Sequence, residues 1–123
     1  MIRLTPVVIA LVVFSSSALA QDPVKVDPAH HKVELENVQV RVLRVTLEPG
    51  AKTAVHEHPA GVVTFLTDAK LRITEVGEKP NQTPRKAKDV LGLEPTRHTA
   101  ENIGNTPVEL ILVELKGGAA GTR

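Results

Sequence analysis

A chain of 123 residues is long enough for one sizeable core, and its lack of cysteine excludes both disulfide cross-links and a lipid-modified cysteine anchor. Fifteen Lys and Arg residues nearly balance 14 Asp and Glu residues, and only 2% of the residues are aromatic. This composition argues against a nucleic-acid partner and against aromatic stacking platforms for bases or sugars.

The first twenty residues have the pattern of a cleavable export signal. Arg3 precedes an apolar run from Pro6 to Phe14, and the segment ends with the small-residue sequence Ala18-Leu19-Ala20. The apolar run is much shorter than the ~20 residues that a membrane-spanning helix needs. We therefore predict a signal peptide over 1–20, a periplasmic or secreted product, and no stable membrane anchor after cleavage near Ala20.

The remainder of the chain has the composition of a β-domain. Residues 21–30 contain two prolines, and we expect them to form a flexible lead-in. Over 31–116, short segments rich in Val, Leu, Ile and Thr are separated by Pro, Gly and Asn turn signals, and no segment has a sustained 3.6-residue period. These features predict a single all-β sandwich or barrel domain over 31–116, followed by a disordered tail over 117–123.

Three segments give more specific expectations. Val38 to Leu47 changes alternation phase, which indicates either a bulge or burial on both faces. In the segment from Val62 to Leu66, we expect Thr64 and Leu66 to line the interior. The run from Leu110 to Val113 is apolar on both faces, so its outer face is expected to be covered by another strand or by a second subunit, which favours a homodimer.

His56 and His58 are the most informative residues. They are separated by one residue, so in a strand both imidazoles point to the same side, and a turn begins directly after them at Pro59. Histidine is the commonest metal-ligating side chain near neutral pH. Two histidines from one strand need a further ligand, for which His98 is the candidate. The alternative is that these histidines line a pocket without metal.

These histidines lie in segments that resemble the two sequence motifs of the cupin family. Gly50 and the His56-Glu57-His58 triplet, with five residues between them, fit the first half of the first motif, and His98 and Asn102 fit the end of the second. The closer likeness, over about 31–116, is to small single-domain bacterial cupins of the cupin 2 type, including proteins described as β-alanine degradation proteins. This resemblance implies a double-stranded β-helix, or jelly-roll, barrel.

The resemblance also implies a divalent metal ion bound by His56, His58 and His98, with Fe, Mn or Zn favoured and Ni or Cu as alternatives. The family's glutamate ligand has no counterpart, because its motif position falls on Val62. Gly92 stands where close relatives often have a tryptophan, which predicts a roomier pocket. No general base can be identified, so the sequence leaves open whether the protein is an enzyme.

Three functional hypotheses remain. The first is an exported metal-dependent enzyme, oxygenase-like or isomerase- or lyase-like, that acts on a small molecule. The second is a non-enzymatic periplasmic protein that binds a metal ion or a small metabolite, and the third is a structural dimer with a vestigial pocket. An interior of Val, Leu, Thr and Ile favours a small or weakly polar ligand over a highly charged one.

Two polar features receive no function. His30 and His31 lie in a loose polar stretch, where we expect solvent-exposed histidines rather than metal ligands. A basic cluster alternates with polar turn residues and is expected to be a solvated hairpin; it consists of Lys79, Arg85, Lys86 and Lys88.

Overall fold

The computed structural model describes residues 21–117, which form one helical turn and eight β-strands. The elements are α1 (Pro23–Val26), β1 (His31–Glu36), β2 (Val40–Leu47), β3 (His56–His58), β4 (Gly61–Phe65), β5 (Leu71–Glu75), β6 (Val90–Leu93), β7 (Thr96–Asn102) and β8 (Val108–Leu115). One sheet has five strands in the order β1-β2-β8-β4-β6, and the other has three in the order β3-β7-β5. The predicted all-β barrel is confirmed.

The predicted signal peptide over 1–20 and the tail from residue 118 onward lie outside the described residues. Between residues 21 and 117, no helix has the length and apolar composition needed to cross a membrane.

The core lies between the two sheets. Its largest contribution comes from alternate residues of the paired strands β2 and β8: Leu43, Val45, Leu47, Val108, Leu110 and Leu112. The outward residues of the same strands include Val42 and Val113, which face each other in the register. The phase change predicted in β2 therefore reflects two apolar faces. The bulge alternative is wrong for β2, because the irregularity in the pairing lies in β1, between Val33 and Leu35.

The orientation of β4 differs from the prediction. Val63 and Phe65 face the interior, whereas Leu66 is exposed and Thr64 is only half-buried. The phase of the strand is set by Gly61, at which an added Cβ would lie 2.1 Å from the carbonyl oxygen of Val113. This contact requires glycine, and strand alternation from Gly61 then directs Val63 and Phe65 inward.

The segment predicted as a flexible lead-in packs against the barrel. An Asp22 side-chain oxygen accepts a hydrogen bond from the Val24 backbone N–H at 2.8 Å, which caps the N-terminus of α1. Pro23 is fully buried, and α1 contacts β1 and β3. Asp27, which follows the helix, is also buried. These contacts position the start of β1 beside the strand that contains the histidine pair.

Candidate metal centre

Two neighbouring strands bring the three predicted ligands together. His56 lies directly opposite His98 in the antiparallel pairing of β3 with β7. His56 and His58 are both buried and their ring centroids lie 4.6 Å apart. The His98 ring lies 4.8 Å from that of His56 and 5.3 Å from that of His58. The i and i+2 spacing in β3 therefore places both imidazoles on one face of the sheet, as expected, and the pairing with β7 places His98 on that same face.

A fourth histidine joins this cluster. His31 is only 4% exposed, and its ring centroid lies 4.8 Å from that of His56. The expectation of an exposed residue was wrong, because His31 is the first residue of β1 and pairs with the inward-facing Val45. His31, His56 and His58 each offer a ligand atom, and these three atoms lie within 4.8 Å of one another.

Hydrogen bonds fix three of the four imidazoles. Nδ1 of His31 lies 3.0 Å from the Asp27 carbonyl oxygen, and Nδ1 of His56 lies 2.7 Å from that of Ala54. Nδ1 of His58 lies 2.7 Å from a carboxylate oxygen of Glu114. Because each partner is an acceptor, each Nδ1 carries the hydrogen, which leaves the Nε2 lone pair available to a metal ion. In the described part of the chain, His98 makes no side-chain hydrogen bond.

A buried ionic network supports His58 from behind. One oxygen of Glu114 contacts His58, and the other accepts a hydrogen bond from Nε of Arg41 at 2.8 Å and lies 2.7 Å from Nη2 of the same side chain. Arg41 Nη1 donates to Asp22 at 2.7 Å. Burial opposes the charge of Asp22, but the hydrogen bonds from Arg41 and Val24 outweigh it and hold the pKa of this carboxyl below its usual range. The network connects the centre to the cap of α1.

The environment of three of these histidines, His31, His56 and His98, favours the neutral ring. Burial lowers the pKa of His56 to about 4, and the neighbouring His58 and His31 lower it as well. Burial and the other histidines likewise lower the pKa of His98 to about 3. Burial also lowers the pKa of His31. Neutral imidazole is the form that binds metal ions, so this cluster is ready to bind metal at pH 7 without losing protons from these rings.

The missing carboxylate ligand has a geometric explanation. Val62 is 39% exposed and points away from the interior, so in this strand register a carboxylate at position 62 would face outward. Within residues 21–117, the group suited to a metal ion consists only of histidines. Asp27 and Glu114 contact the Nδ1 side of the rings instead. Sequence reasoning missed His31 and Glu114, because neither lies in a spacing that marks a metal site.

A cavity of about 620 Å³ adjoins the histidines. Its wall is mostly apolar and includes Val63, Phe65, Leu71 and Ile73. At Gly92, which also lines this cavity, an added Cβ would meet no atom within 4 Å. This open space lies on the outer face of the sheet, because Gly92 pairs with the outward-facing Val62, so the glycine does not enlarge the pocket as predicted. The cavity has the size of a small-molecule site.

Comparisons with solved structures show the fold. A cupin domain from Bordetella pertussis is 22% identical with a TM-score of 0.66, covering 71% of this chain and 92% of that one. A Klebsiella pneumoniae protein with a double-stranded β-helix domain is 23% identical with a TM-score of 0.59, covering 85% and 91%. A cupin 2 conserved barrel domain protein from Salinispora arenicola is 15% identical with a TM-score of 0.59, covering 91% and 94%.

The domain therefore has the cupin fold, the double-stranded β-helix barrel that the histidine motifs implied. Neither the protein-family models nor the curated proteins contain a match to this sequence. The finer likeness to β-alanine degradation proteins stays a prediction. Because the structural neighbours are less than 25% identical, they support the fold and not a reaction.

Proposed function

We propose that this protein binds one divalent transition-metal ion through His56 and His58, with His31 and His98 completing the histidine set. The observation that carries the proposal is the fixed orientation of three buried imidazoles, each with its Nδ1 occupied by an acceptor. Metal-binding histidines in proteins have this type of outer partner, which selects the tautomer and orients the ring.

The donor set fits the proposed metals. Imidazole nitrogen suits Zn, Fe, Cu and Ni, and Mn remains a candidate through the cupin resemblance. When bound, such an ion supplies Lewis acidity or activates water or dioxygen. The protein's own residues orient the imidazoles and keep His56 neutral, and the cavity wall beside them is mostly apolar.

The number of ligating histidines bears on whether the protein is an enzyme. Three imidazoles leave coordination positions open for a small molecule, as in catalytic sites, whereas four imidazoles saturate a tetrahedral ion, as in structural sites. The adjoining cavity favours an enzyme that acts on a small molecule, oxygenase-like or isomerase- or lyase-like. The four-histidine cluster favours the second candidate, a protein that binds and holds a metal ion.

Metal analysis of the purified protein tests the proposal. After reconstitution with Fe(II), Mn(II), Zn(II), Ni(II) or Cu(II) and removal of excess metal, we expect about one ion per chain. His56→Ala should abolish this binding, and His31→Ala and His98→Ala identify which further histidine ligates. His30→Ala is the matched control, because His30 bonds Asp27 at 2.8 Å and lies outside the histidine cluster. A wild-type protein that binds none of these metals contradicts the proposal and leaves the vestigial pocket.

We also propose that the protein acts outside the cytoplasm and as a homodimer. The pattern of residues 1–20 supports export, and N-terminal sequencing of the periplasmic fraction tests it. The outer face of the five-stranded sheet supports the dimer. Val42, Val113 and Val62 are neighbours across β2, β8 and β4, and their side chains point away from the core.

A further inference from the structure

Among the charged residues in the cavity wall, apart from the histidines, only one is half-buried. Arg85 lines the cavity and is half-buried. The other charged lining residues are exposed: Glu75, Glu78, Lys79 and Glu94. Exposed charges are screened by solvent, but a guanidinium partly removed from water needs an acceptor. Arg85 therefore differs in kind from its charged neighbours.

The backbone holds Arg85 in position. Its N–H donates to the Ala69 carbonyl and its carbonyl accepts from the Ala69 N–H, both at 3.0 Å. Asn81 and Ile73 form the same reciprocal pair at 2.8 Å. Residues 81–85 therefore run antiparallel beside β5 and its N-terminal extension. Because paired residues share a face, Arg85 lies on the same side as the core residue Ala69, which explains why it reaches the cavity.

Arg85 has no anionic partner in the described part of the chain. No carboxylate oxygen there lies within 4.0 Å of its guanidinium, and its side chain makes no hydrogen bond with another described residue. Lys86, its neighbour, is paired with Asp68 at 3.6 Å on the surface. The structure thus divides the basic cluster, which was expected to be uniformly solvated, into surface lysines and one inward-facing arginine.

We propose that Arg85 binds the carboxylate of an aliphatic monocarboxylic acid whose chain lies along Phe65, Leu71 and Ile73. Planar guanidinium matches a carboxylate with two parallel hydrogen bonds. Ala69, which pairs with Arg85, and Glu75, which pairs with His98, lie about 20 Å apart along the chain at the usual rise, so the wall between the arginine and the histidines has room for an aliphatic chain. The proposal replaces the expected weakly polar ligand with an amphipathic one.

This inference extends the proposed function by naming a ligand class for the same cavity, but the contact with Arg85 does not need a metal ion. The test is calorimetric titration of the full chain with octanoate and with 1-octanol, which has the same chain length without the charge. We expect octanoate to bind at least about tenfold more tightly than octanol, the effect of a charge-assisted hydrogen bond. The preference should be present in both metal-free and zinc-loaded protein.

Two variants test whether Arg85 is the residue that binds the carboxylate. Arg85→Gln should reduce octanoate affinity by about tenfold or more and leave octanol affinity unchanged. Lys86→Gln, which removes a surface charge next to Arg85, should bind octanoate like the wild type. Far-UV circular dichroism confirms that each variant is folded.

Several outcomes overturn the proposal. Equal affinity of the wild-type protein for octanoate and octanol does so. An Arg85→Gln variant that retains the preference for octanoate also overturns it, as does a wild-type protein that binds neither compound. If octanoate binds only to zinc-loaded protein and Arg85→Gln has no effect, the carboxylate binds the metal and Arg85 has no role. Failure of metal binding in the separate metal analysis does not affect this test, since the metal-free arm stands alone.

Discussion

The metal-free protein should lose stability as the pH falls from 8 to 5. The histidine cluster is the reason, since burial lowers the pKa of His56 to about 4 and that of His98 to about 3, from 6.5 for an ordinary histidine. In the unfolded chain both rings take up protons near pH 6.5, whereas in the folded protein they stay neutral. The unfolded state therefore binds more protons in this range, and acid favours unfolding.

The size of the effect follows from these pKa values. At pH 5 both folded-state pKa values, about 4 and about 3, are still below the pH, so only the interval from pH 5 to the unfolded-state pKa of 6.5 contributes. This interval corresponds to about 2 kcal/mol for each histidine. The two together give a loss of about 4 kcal/mol, a large fraction of the ~5–15 kcal/mol that stabilises a typical domain. Asp22, whose pKa lies below its usual 3.8, destabilises only at lower pH and does not contribute to this window.

Urea denaturation of metal-free protein at several pH values measures this loss. Far-UV circular dichroism is the suitable signal, because the chain has no Trp or Tyr. His98→Gln should reduce the loss between pH 8 and 5 by about 2 kcal/mol, since the contribution of one buried ring is removed. Saturating zinc should raise stability by mass action at pH 7.5. A free energy of unfolding that stays constant between pH 8 and 5 would refute the argument from buried neutral histidines.

Three further changes test the supporting structure. Glu114→Gln weakens the charged acceptor behind His58 and should lower zinc affinity about 10- to 100-fold in a competition titration, while unchanged affinity would contradict an orienting role. Gly61→Ala should lower the free energy of unfolding, measured by urea denaturation, by about 3 kcal/mol or more, because the new Cβ meets a carbonyl oxygen at 2.1 Å. The control Gly92→Ala should change this free energy by less than about 1 kcal/mol, because no atom lies within 4 Å of the added Cβ. Val113→Glu should convert the proposed dimer to a monomer in analytical ultracentrifugation. The control Val38→Glu should leave the dimer intact, because Val38 is 91% exposed in the turn before β2. A monomeric wild-type protein excludes the dimer.

The sequence predicted the barrel and part of the histidine centre because both depend on local patterns. Alternating apolar segments and turn residues predict strands, and the i and i+2 spacing places His56 and His58 on one side of β3. The convergence with His98 depends on the pairing of β3 with β7, which no local pattern indicates, and only the motif resemblance pointed to this residue.

The misses came from long-range pairing. His31 becomes part of the cluster only through its register with Val45, and a polar local sequence gives no sign of this. Which residues of β4 point to the core depends on a close contact between Gly61 and β8, some fifty residues later in the chain. Local alternation alone could therefore not show which face of β4 is buried. Arg85 was assigned to the surface for the same reason, because its pairing with Ala69 cannot be read from its neighbours.

The ionic network behind His58 has a consequence for the order in which the protein matures. It joins Asp22, at the start of the described chain, to Glu114, in the last strand, and Arg41 lies between them. The outer support of the centre is therefore incomplete until β8 has been synthesised. A growing chain therefore presents His58 without its Glu114 partner, so the proposed metal ion would meet a fully oriented site only after β8 has joined the sheet.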